Sequence, residues 1–280
     1  MLAFVLSGGG SRGALQVGAL KVLIEAGIRP DMVVGTSIGS VNATFLAADP
    51  TIAGIEKLEA IWHELENTVI FPGGKGVALL RFIRGRPSLY LNDRVHEILM
   101  QHLPSSRFEE LALPCYAIAI DLDSGEIVGF GDQQEDLLED GLMSSMALVP
   151  AYPPWRVGER RFIDGGFGAV LPVRQAIERG ATQIIALHLR TPLLPSESVQ
   201  SAFEVMTQAA DLLARQQTAT DIAYAMDQVE LFTIDLYSDA HIPLDDFSRT
   251  ISRIAKGQEV AMSALANNKA IAQLRSEQVA

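Results

Sequence analysis

Two short apolar segments near the amino terminus each run directly into a glycine-rich turn and then into a helical pattern. Residues 2–6 end at Ser7-Gly8-Gly9-Gly10, and residues 31–34 end at Gly35. Apolar residues at helical spacing follow in residues 12–26, and a second helix is predicted through residue 48. This strand–helix–strand–helix order predicts parallel strands with right-handed crossovers. Both turns should therefore meet at one edge of a sheet, where α/β proteins bind ligands.

The rest of the chain continues the alternation of strands and helices. Strands are predicted over residues 114–122, 126–130, 161–163, 182–189 and 229–236, and helices over 51–66, 92–103, 134–147, 197–228 and 248–276. No internal repeat and no long linker interrupts the pattern. We therefore expect residues 1–280 to form one domain, a three-layer α/β/α sandwich with a mostly parallel central sheet.

Composition excludes several classes of protein. A formal net charge of −12 disfavours a nucleic-acid partner, because binding phosphates requires a basic face. The single cysteine, Cys115, permits no intramolecular disulfide and fits a reducing compartment. The amino terminus lacks the basic and long apolar regions of a signal peptide, and no window approaches the ~20 apolar residues of a membrane span. We expect a cytoplasmic protein, with peripheral membrane contact still open.

The second turn has the pattern G-x-S-x-G, from Gly35 to Gly39 with Ser37 at its centre. Between a strand and a helix, so tight a turn holds its central residue in a strained conformation and exposes the serine hydroxyl. The helix that follows adds the positive end of its dipole, which favours a developing negative charge. The pattern also arises by chance, but this context favours Ser37 as a nucleophile.

The first turn, from Gly8 to Gly13, fits three interpretations. A dinucleotide fingerprint needs an acidic residue after the second strand, and Asp31 lies at the opposite, amino end of that strand. A P-loop needs Lys-Ser or Lys-Thr after the last glycine, and neither follows here. An oxyanion hole needs only backbone N–H groups that point at a bound anion, which consecutive glycines allow. The third interpretation fits best.

A serine nucleophile needs an adjacent base. Of the five histidines, only His188 lies near the end of a strong strand, and a structural role suits it at least as well. Asp164 is better placed, because it ends a short strand and precedes Gly165 and Gly166. Its carboxylate would need a dry site to raise its pKa. The Asp-Gly-Gly sequence taken alone favours a plain β-turn.

Four elements in this order resemble the bacterial patatin-like phospholipase family. They are the Gly8–Gly13 turn, the Gly35–Gly39 turn, the segment from Ser144 through Pro150 to Pro154, and Asp164-Gly165-Gly166. The resemblance covers at least residues 2–190. One departure is Ser7, which stands where many members of the family have aspartate.

The resemblance implies a serine acyl hydrolase that acts on lipid esters through a Ser37–Asp164 dyad, without histidine, metal or cofactor. It also implies an oxyanion hole built from the glycine loop. Gly9 and Gly10 would be its main donors, among Gly8, Gly9, Gly10, Ser11 and Arg12. Gly13, Gly35, Gly39, Gly165 and Gly166 would be the motif glycines. The expected substrate is a phospholipid or lysophospholipid, with a soluble acyl ester or thioester as the alternative. A non-enzymatic nucleotide-binding module is the alternative from another class.

Two basic stretches lead to a hypothesis about membranes. Residues 67–92 carry four basic and no acidic residues among apolar ones, so they could form a lid or a membrane-docking segment. Trp155, Arg156, Arg160 and Arg161 form a second basic and aromatic stretch. An ordinary surface loop explains either stretch equally well. The two long helices near the carboxyl terminus could support a homodimer, or simply pack on the core.

Overall fold

The computed structural model describes residues 1–65, 78, 80, 81, 83–193, 201–237, 244–268 and 271. Its strands are β1 (Leu2–Leu6), β2 (Met32–Thr36), β3 (Cys115–Asp121), β4 (Ile127–Phe130), β5 (Trp155–Val157), β6 (Arg160–Asp164), β7 (Gln183–Arg190) and β8 (Glu230–Tyr237). Its helices are α1 (Gly13–Glu25), α2 (Ile38–Ala48), α3 (Ile52–Leu65), α4 (Asp93–His102), α5 (Leu138–Ser145), α6 (Val173–Glu178), α7 (Ala202–Gln228) and α8 (Thr250–Asn267).

The eight described strands form one sheet in the order β5-β6-β3-β2-β1-β7-β8, with β4 also paired to β3. The five strands from β3 to β8 along this order are parallel. The pairs β3–β4, β3–β6 and β5–β6 are antiparallel. The predicted mostly parallel sheet is therefore confirmed, and β1 lies near its centre because its apolar residues are buried on both faces.

Helices cover both faces of this sheet. Alternate residues of β1 point to opposite sides, so Phe4 and Leu6 join a core beneath α1, α2, α3 and α8. Ala3 and Val5 join a second core, which includes Val173 of α6. Two apolar layers separated by a sheet make the predicted three-layer sandwich.

Two short elements were absent from the sequence prediction. Strand β5 follows the prolines at 150, 153 and 154, and it exists by pairing with β6 through a turn at Gly158, where φ is +59°. Helix α6 has six residues, too few for a recognisable apolar period. The helix expected over 134–147 begins only at Leu138, because the Asp136 carboxylate accepts the N–H groups of Gly131 and Gln133 in a turn. The helices expected at 197–228 and 248–276 are described over 202–228 and 250–267.

Candidate active site

Ser37 lies at the turn between β2 and α2 with φ of 54° and ψ of −128°. It is the one described residue other than glycine with a positive φ. L-residues avoid this region, at a cost of about 1–3 kcal/mol, and hold it where the surroundings enforce it. The flanking glycines permit the tight packing that surrounds it here. A Cβ on Gly35 would lie 2.3 Å from the Gly39 carbonyl oxygen, and one on Gly39 would lie 2.3 Å from that of Leu6.

Sheet register brings Asp164 to the same level as Ser37. Thr36 pairs with Ile118 of β3, and the next residue of β3, Ala119, pairs with Asp164 of β6. The Ser37 side chain lies close enough to the Asp164 carboxylate to lower the pKa of that group by hydrogen bonding. The N–H of Gly166 donates a second bond of 2.7 Å to Asp164 Oδ1. The structure thus brings together the two residues that the sequence selected, 127 positions apart in the chain.

The Asp164 carboxyl group is almost completely buried, with 3% of the residue exposed. Burial raises its pKa from the usual 3.8 to about 6, although the hydrogen bonds from Ser37 and Gly166 partly oppose this rise. A carboxylate with this pKa is a stronger base than a free aspartate and is still ionised at neutral pH. The Asp164 carboxylate is therefore ionised at neutral pH next to the Ser37 side chain.

Glycine permits all three loops to approach one another. A Cβ on Gly8 would lie 3.3 Å from Ser37 Cβ, so the first glycine loop packs against Ser37. A Cβ on Gly165 would lie 2.3 Å from the Ile118 carbonyl oxygen and 3.1 Å from Thr36 Cγ2. Any larger side chain at these positions would push the base or the glycine loop away from Ser37.

Hydrogen bonds narrow the set of oxyanion donors expected from the sequence. The N–H of Gly8 donates to Val170, that of Ser11 donates to Leu244, and that of Arg12 lies 3.3 Å from the Gly9 oxygen. These three groups are thus occupied within the protein. Within the described part of the chain, the N–H groups of Gly9 and Gly10 donate to no protein oxygen. Gly9 and Gly10 are therefore the donors left to bind an anion.

The Arg12 side chain supports the loop rather than projecting from it. Its Nε donates a 2.9 Å hydrogen bond to the Gly9 carbonyl oxygen. Burial lowers the pKa of Arg12 to about 10, while the nearby Asp211 raises it and Arg215 and Arg253 lower it further. The guanidinium stays charged at neutral pH and holds the Gly9 peptide in one orientation.

Ser145, at the end of α5, is a site residue that the sequence did not single out for a role. Its hydroxyl accepts a 2.8 Å bond from the N–H of Ser37 and donates a 2.6 Å bond to the Ile118 carbonyl oxygen. The only signal in the sequence was its place in the segment between Ser144 and Pro154.

A buried polar network beneath the glycine loop was also missed. The Gln16 amide donates to the carbonyl oxygens of Ser7 and Leu187, and its Oε1 accepts from Asn42. Asn42 in turn donates to the Gly13 carbonyl oxygen and accepts from the Trp62 indole. The network ties α1, α2 and α3 to the base of the loop, and an isolated Gln, Asn and Trp carry no pattern that reveals it.

The other candidates lie elsewhere. His188 Nδ1 is 3.2 Å from Asp235 Oδ1, which gives this imidazole a partner other than Ser37. Asp31 accepts the N–H of Leu2 at the amino end of β1, so it cannot reach a ribose at the opposite edge. The described residues contain no cluster of three or more His, Cys, Asp or Glu side chains with metal-binding geometry. His241 lies outside the described residues.

Comparison with known proteins gives one family. The sequence model described as "Patatin-like phospholipase" matches residues 4–177. Patatin-like phospholipase domain-containing protein 6 of Mus musculus is 27% identical over 188 residues, which are 66% of this chain and 13% of that protein. Lysophospholipase NTE1 of Saccharomyces cerevisiae is 26% identical over 211 residues, which are 71% of this chain and 12% of that protein. The chain thus spans about an eighth of the length of these curated relatives.

Two solved structures resemble the chain. VipD from Legionella pneumophila aligns with a TM-score of 0.49 and 14% identity, over 95% of this chain and 66% of that one. The type III effector ExoU aligns with a TM-score of 0.42 and 13% identity, over 95% of this chain and 53% of that one. The curated relatives above come from a mammal and a yeast, so they do not support the bacterial subgroup expected from the sequence.

Proposed function

Because the chain belongs to the patatin-like phospholipase family, we propose that it is a serine acyl hydrolase that cleaves the carboxylic ester bonds of lipids. The observation that carries the proposal is the Ser37 side chain, held at a strained turn beside the buried Asp164 carboxylate and close enough to lower its pKa. A hydroxyl beside an ionised carboxylate, with two N–H groups that donate to no oxygen of the described residues, has all the parts of acyl transfer.

The reaction follows from these positions in two halves. The Ser37 oxygen attacks the ester carbonyl carbon while Asp164 takes the hydroxyl proton, and the N–H groups of Gly9 and Gly10 bind the resulting oxyanion. When the carbon–oxygen bond to the alcohol breaks, Asp164 returns the proton to the leaving oxygen. A water molecule then attacks the acyl-enzyme with Asp164 again as base, which releases the fatty acid and restores Ser37.

The substrate class is proposed from the relatives. Their printed names include phospholipase and lysophospholipase, which supports a phospholipid or lysophospholipid ester. A carboxylesterase or thioesterase on soluble acyl esters uses the same catalytic groups. The nucleotide-binding alternative loses support, because Asp31 is occupied at the opposite edge of the sheet.

Hydrolysis of nitrophenyl acyl esters of increasing chain length tests the proposal. The Ser37→Ala and Asp164→Asn variants should each lose activity by about 10³-fold or more, with the fold retained by circular dichroism. His188→Ala is the matched control and should keep wild-type activity. Full activity of Ser37→Ala would overturn the mechanism. Loss in His188→Ala together with an active Asp164→Asn would point to histidine as the base. A preference for long chains separates a lipase from an esterase.

Four further expectations from the sequence belong to this proposal. One domain over residues 1–280 is supported by β7 and β8, which lie beyond the family match yet extend the same sheet. A cytoplasmic location, a homodimer and the bacterial subgroup stay predictions.

No described helix is both long enough and apolar enough to span a bilayer.

Peripheral membrane contact is the remaining expectation. Half of the expected lid at 67–92 lies outside the described residues, namely 67–77, 79 and 82, although Arg84 and Arg86 are described and exposed. In the second basic stretch, Arg160 pairs with Asp121 and Arg161 pairs with Asp123, while Trp155 donates a hydrogen bond to Asp140. These ion pairs weaken the case for a basic docking surface at residues 155–161.

A further inference from the structure

Helix α7 is much longer than the strands it connects. Its 27 residues extend about 40 Å, whereas the eight residues of β7 extend about 26 Å. Because β7 and β8 are parallel, α7 runs back from the carboxyl edge of the sheet, where Ser37 lies, to the amino edge. The excess length must therefore extend beyond one of these edges.

A hydrogen bond places that excess at the carboxyl edge. The Arg215 guanidinium donates a 2.7 Å bond to the carbonyl oxygen of Thr191, the first residue after β7. Residues 202–214 precede Arg215 and thus lie beyond the end of the strand. These 13 residues, here named the projecting arm, are about 20 Å long and lie toward the edge of the sheet where Ser37 and Asp164 are placed.

The arm begins beside the candidate active site. Asp211 forms an ion pair with Arg215 and also acts electrostatically on Arg12, which holds the glycine loop. Leu189, near the end of β7, packs where a Cβ on Gly9 would lie. The root of the arm is therefore next to the two N–H groups proposed to bind the oxyanion.

The outer face of the arm is apolar and exposed. Val205, Met206, Leu212 and Leu213 are 53%, 69%, 47% and 72% exposed. Counted from Val205, the other three residues follow after one, seven and eight positions. These spacings put all four side chains on one side of the helix. Between residues 205 and 214 the only charged residue is Asp211, which is partly buried and faces Arg215 on the body of the protein. Such a face is unstable in water and marks a contact surface.

We propose that this face inserts into the surface of a lipid bilayer and delivers lipid esters to Ser37, an inference that rests on the proposed function. A lipid surface fits better than a second copy of the chain, since the arm lies beside the edge at which Ser37 must receive a lipid ester, and a second copy seated there would block that access. The arm lacks basic residues, and the whole chain carries −12. Docking should therefore depend on apolar insertion, not on attraction to anionic lipid.

The variant Met206→Glu/Leu213→Glu tests the proposal at two positions where the exposed side chains tolerate a charge. Co-sedimentation with phosphatidylcholine vesicles should weaken by about 100-fold, because two apolar contacts are lost and two charges are added. Hydrolysis of vesicle lipid should fall in parallel, while hydrolysis of monomeric nitrophenyl butyrate stays within about twofold of wild type. Wild-type binding should change little between low and high salt, because screening acts on charge attraction alone.

Met226→Glu is the matched control. Met226 lies on the same helix, near its other end, and is 68% exposed, so its variant should bind vesicles like wild type. Unchanged vesicle binding by the double variant would overturn the proposal. So would a wild-type dimer that the double variant converts to a monomer in sedimentation velocity, because the face would then be a protein interface. Wild-type binding to vesicles without hydrolysis of any ester would instead refute the proposed function and leave docking intact.

Discussion

The N–H of Ser37 donates a 2.8 Å hydrogen bond to the hydroxyl oxygen of Ser145, 108 residues later in the chain. The same hydroxyl donates to the Ile118 carbonyl oxygen, and Ile118 lies beside the residue of β3 that pairs with Asp164. One buried side chain therefore connects the strained turn at Ser37 to the strands that carry Asp164. We conclude that Ser145 is a positioning residue, since it acts through the backbone of Ser37.

Replacing Ser145 with alanine should reduce kcat by about 10- to 100-fold and leave KM nearly unchanged. The variant leaves the buried N–H of Ser37 without its acceptor, which costs about 1–3 kcal/mol. Because this N–H belongs to Ser37, we expect the cost to appear as a displaced serine hydroxyl and a slower chemical step. Steady-state kinetics with a monomeric nitrophenyl ester measures this split between kcat and KM.

The neighbouring Ser144 provides the control. It is equally buried on the same helix, but its hydroxyl has no partner within the described residues. Ser144→Ala should keep wild-type kcat and be at least as stable. Equal losses of kcat in both variants would mean that α5 acts by packing alone and that the Ser145 hydroxyl has no special role.

Replacing Ser37 with glycine should give a more stable protein than replacing it with alanine. Both variants remove the nucleophile, but only glycine accepts φ of 54° without strain. The expected difference in the free energy of unfolding is about 1 kcal/mol or more, measured by urea denaturation. Alanine and glycine variants of equal stability would mean that the backbone relaxes when the hydroxyl is removed.

Activity should depend on pH through Asp164. Only the ionised carboxylate accepts the serine proton, so kcat/KM should rise about tenfold per pH unit below the pKa and level off above it. The midpoint should lie near 6, because burial raises this pKa to about 6. Initial rates with a monomeric ester between about pH 4 and pH 8 measure the profile. A midpoint near 4 would contradict the buried environment of the carboxylate.

The temperature dependence of the pH profile shows whether a carboxylate or an imidazole titrates at its midpoint. The pKa of a carboxylate changes little on warming, whereas that of an imidazole falls. The midpoint should therefore stay constant with temperature, and it should be the same in His188→Ala. A midpoint that moves to lower pH on warming would assign the titration to a histidine.

Asp164→Asn should stabilise the fold at neutral pH while it abolishes activity. Between about pH 4 and pH 6 the folded protein keeps the proton that the unfolded chain has released, so the free energy of unfolding falls as the pH rises. Above pH 6, ionisation of the buried Asp164 carboxyl group lowers the free energy of unfolding by about 3 kcal/mol in total, since its pKa is about two units above the usual value. The variant should gain about 1–3 kcal/mol at pH 7.5, or several degrees in Tm.

Repeating the denaturation at a lower pH supplies the control for this prediction. At about pH 4 wild type should approach the stability of the variant, since Asp164 is then neutral in the folded state. A stability difference that is the same at both pH values would mean that ionisation of Asp164 does not cause it.

Local sequence was enough to predict the elements that carry the motifs. The strand over residues 2–6 was predicted with its observed bounds, because apolar runs ending in glycine have few alternatives. The turn at Ser37 was predictable for the same reason, since glycines at 35 and 39, between an apolar strand and a helical pattern, are typical of a tight turn. By contrast, β5 depends on pairing with β6, and no local pattern reveals such a partner.

The sequence by itself therefore determined the α/β alternation, the glycine turns and the identity of Ser37 and Asp164 as candidates. Tertiary structure alone decided which N–H groups of the glycine loop remain open, because Val170 and Leu244 occupy two of them from distant parts of the chain. It also decided the role of Ser145 and the exposure of the projecting arm. Hydrogen bonds and burial between distant residues depend on how the strands and helices pack, and sequence spacing does not encode that packing.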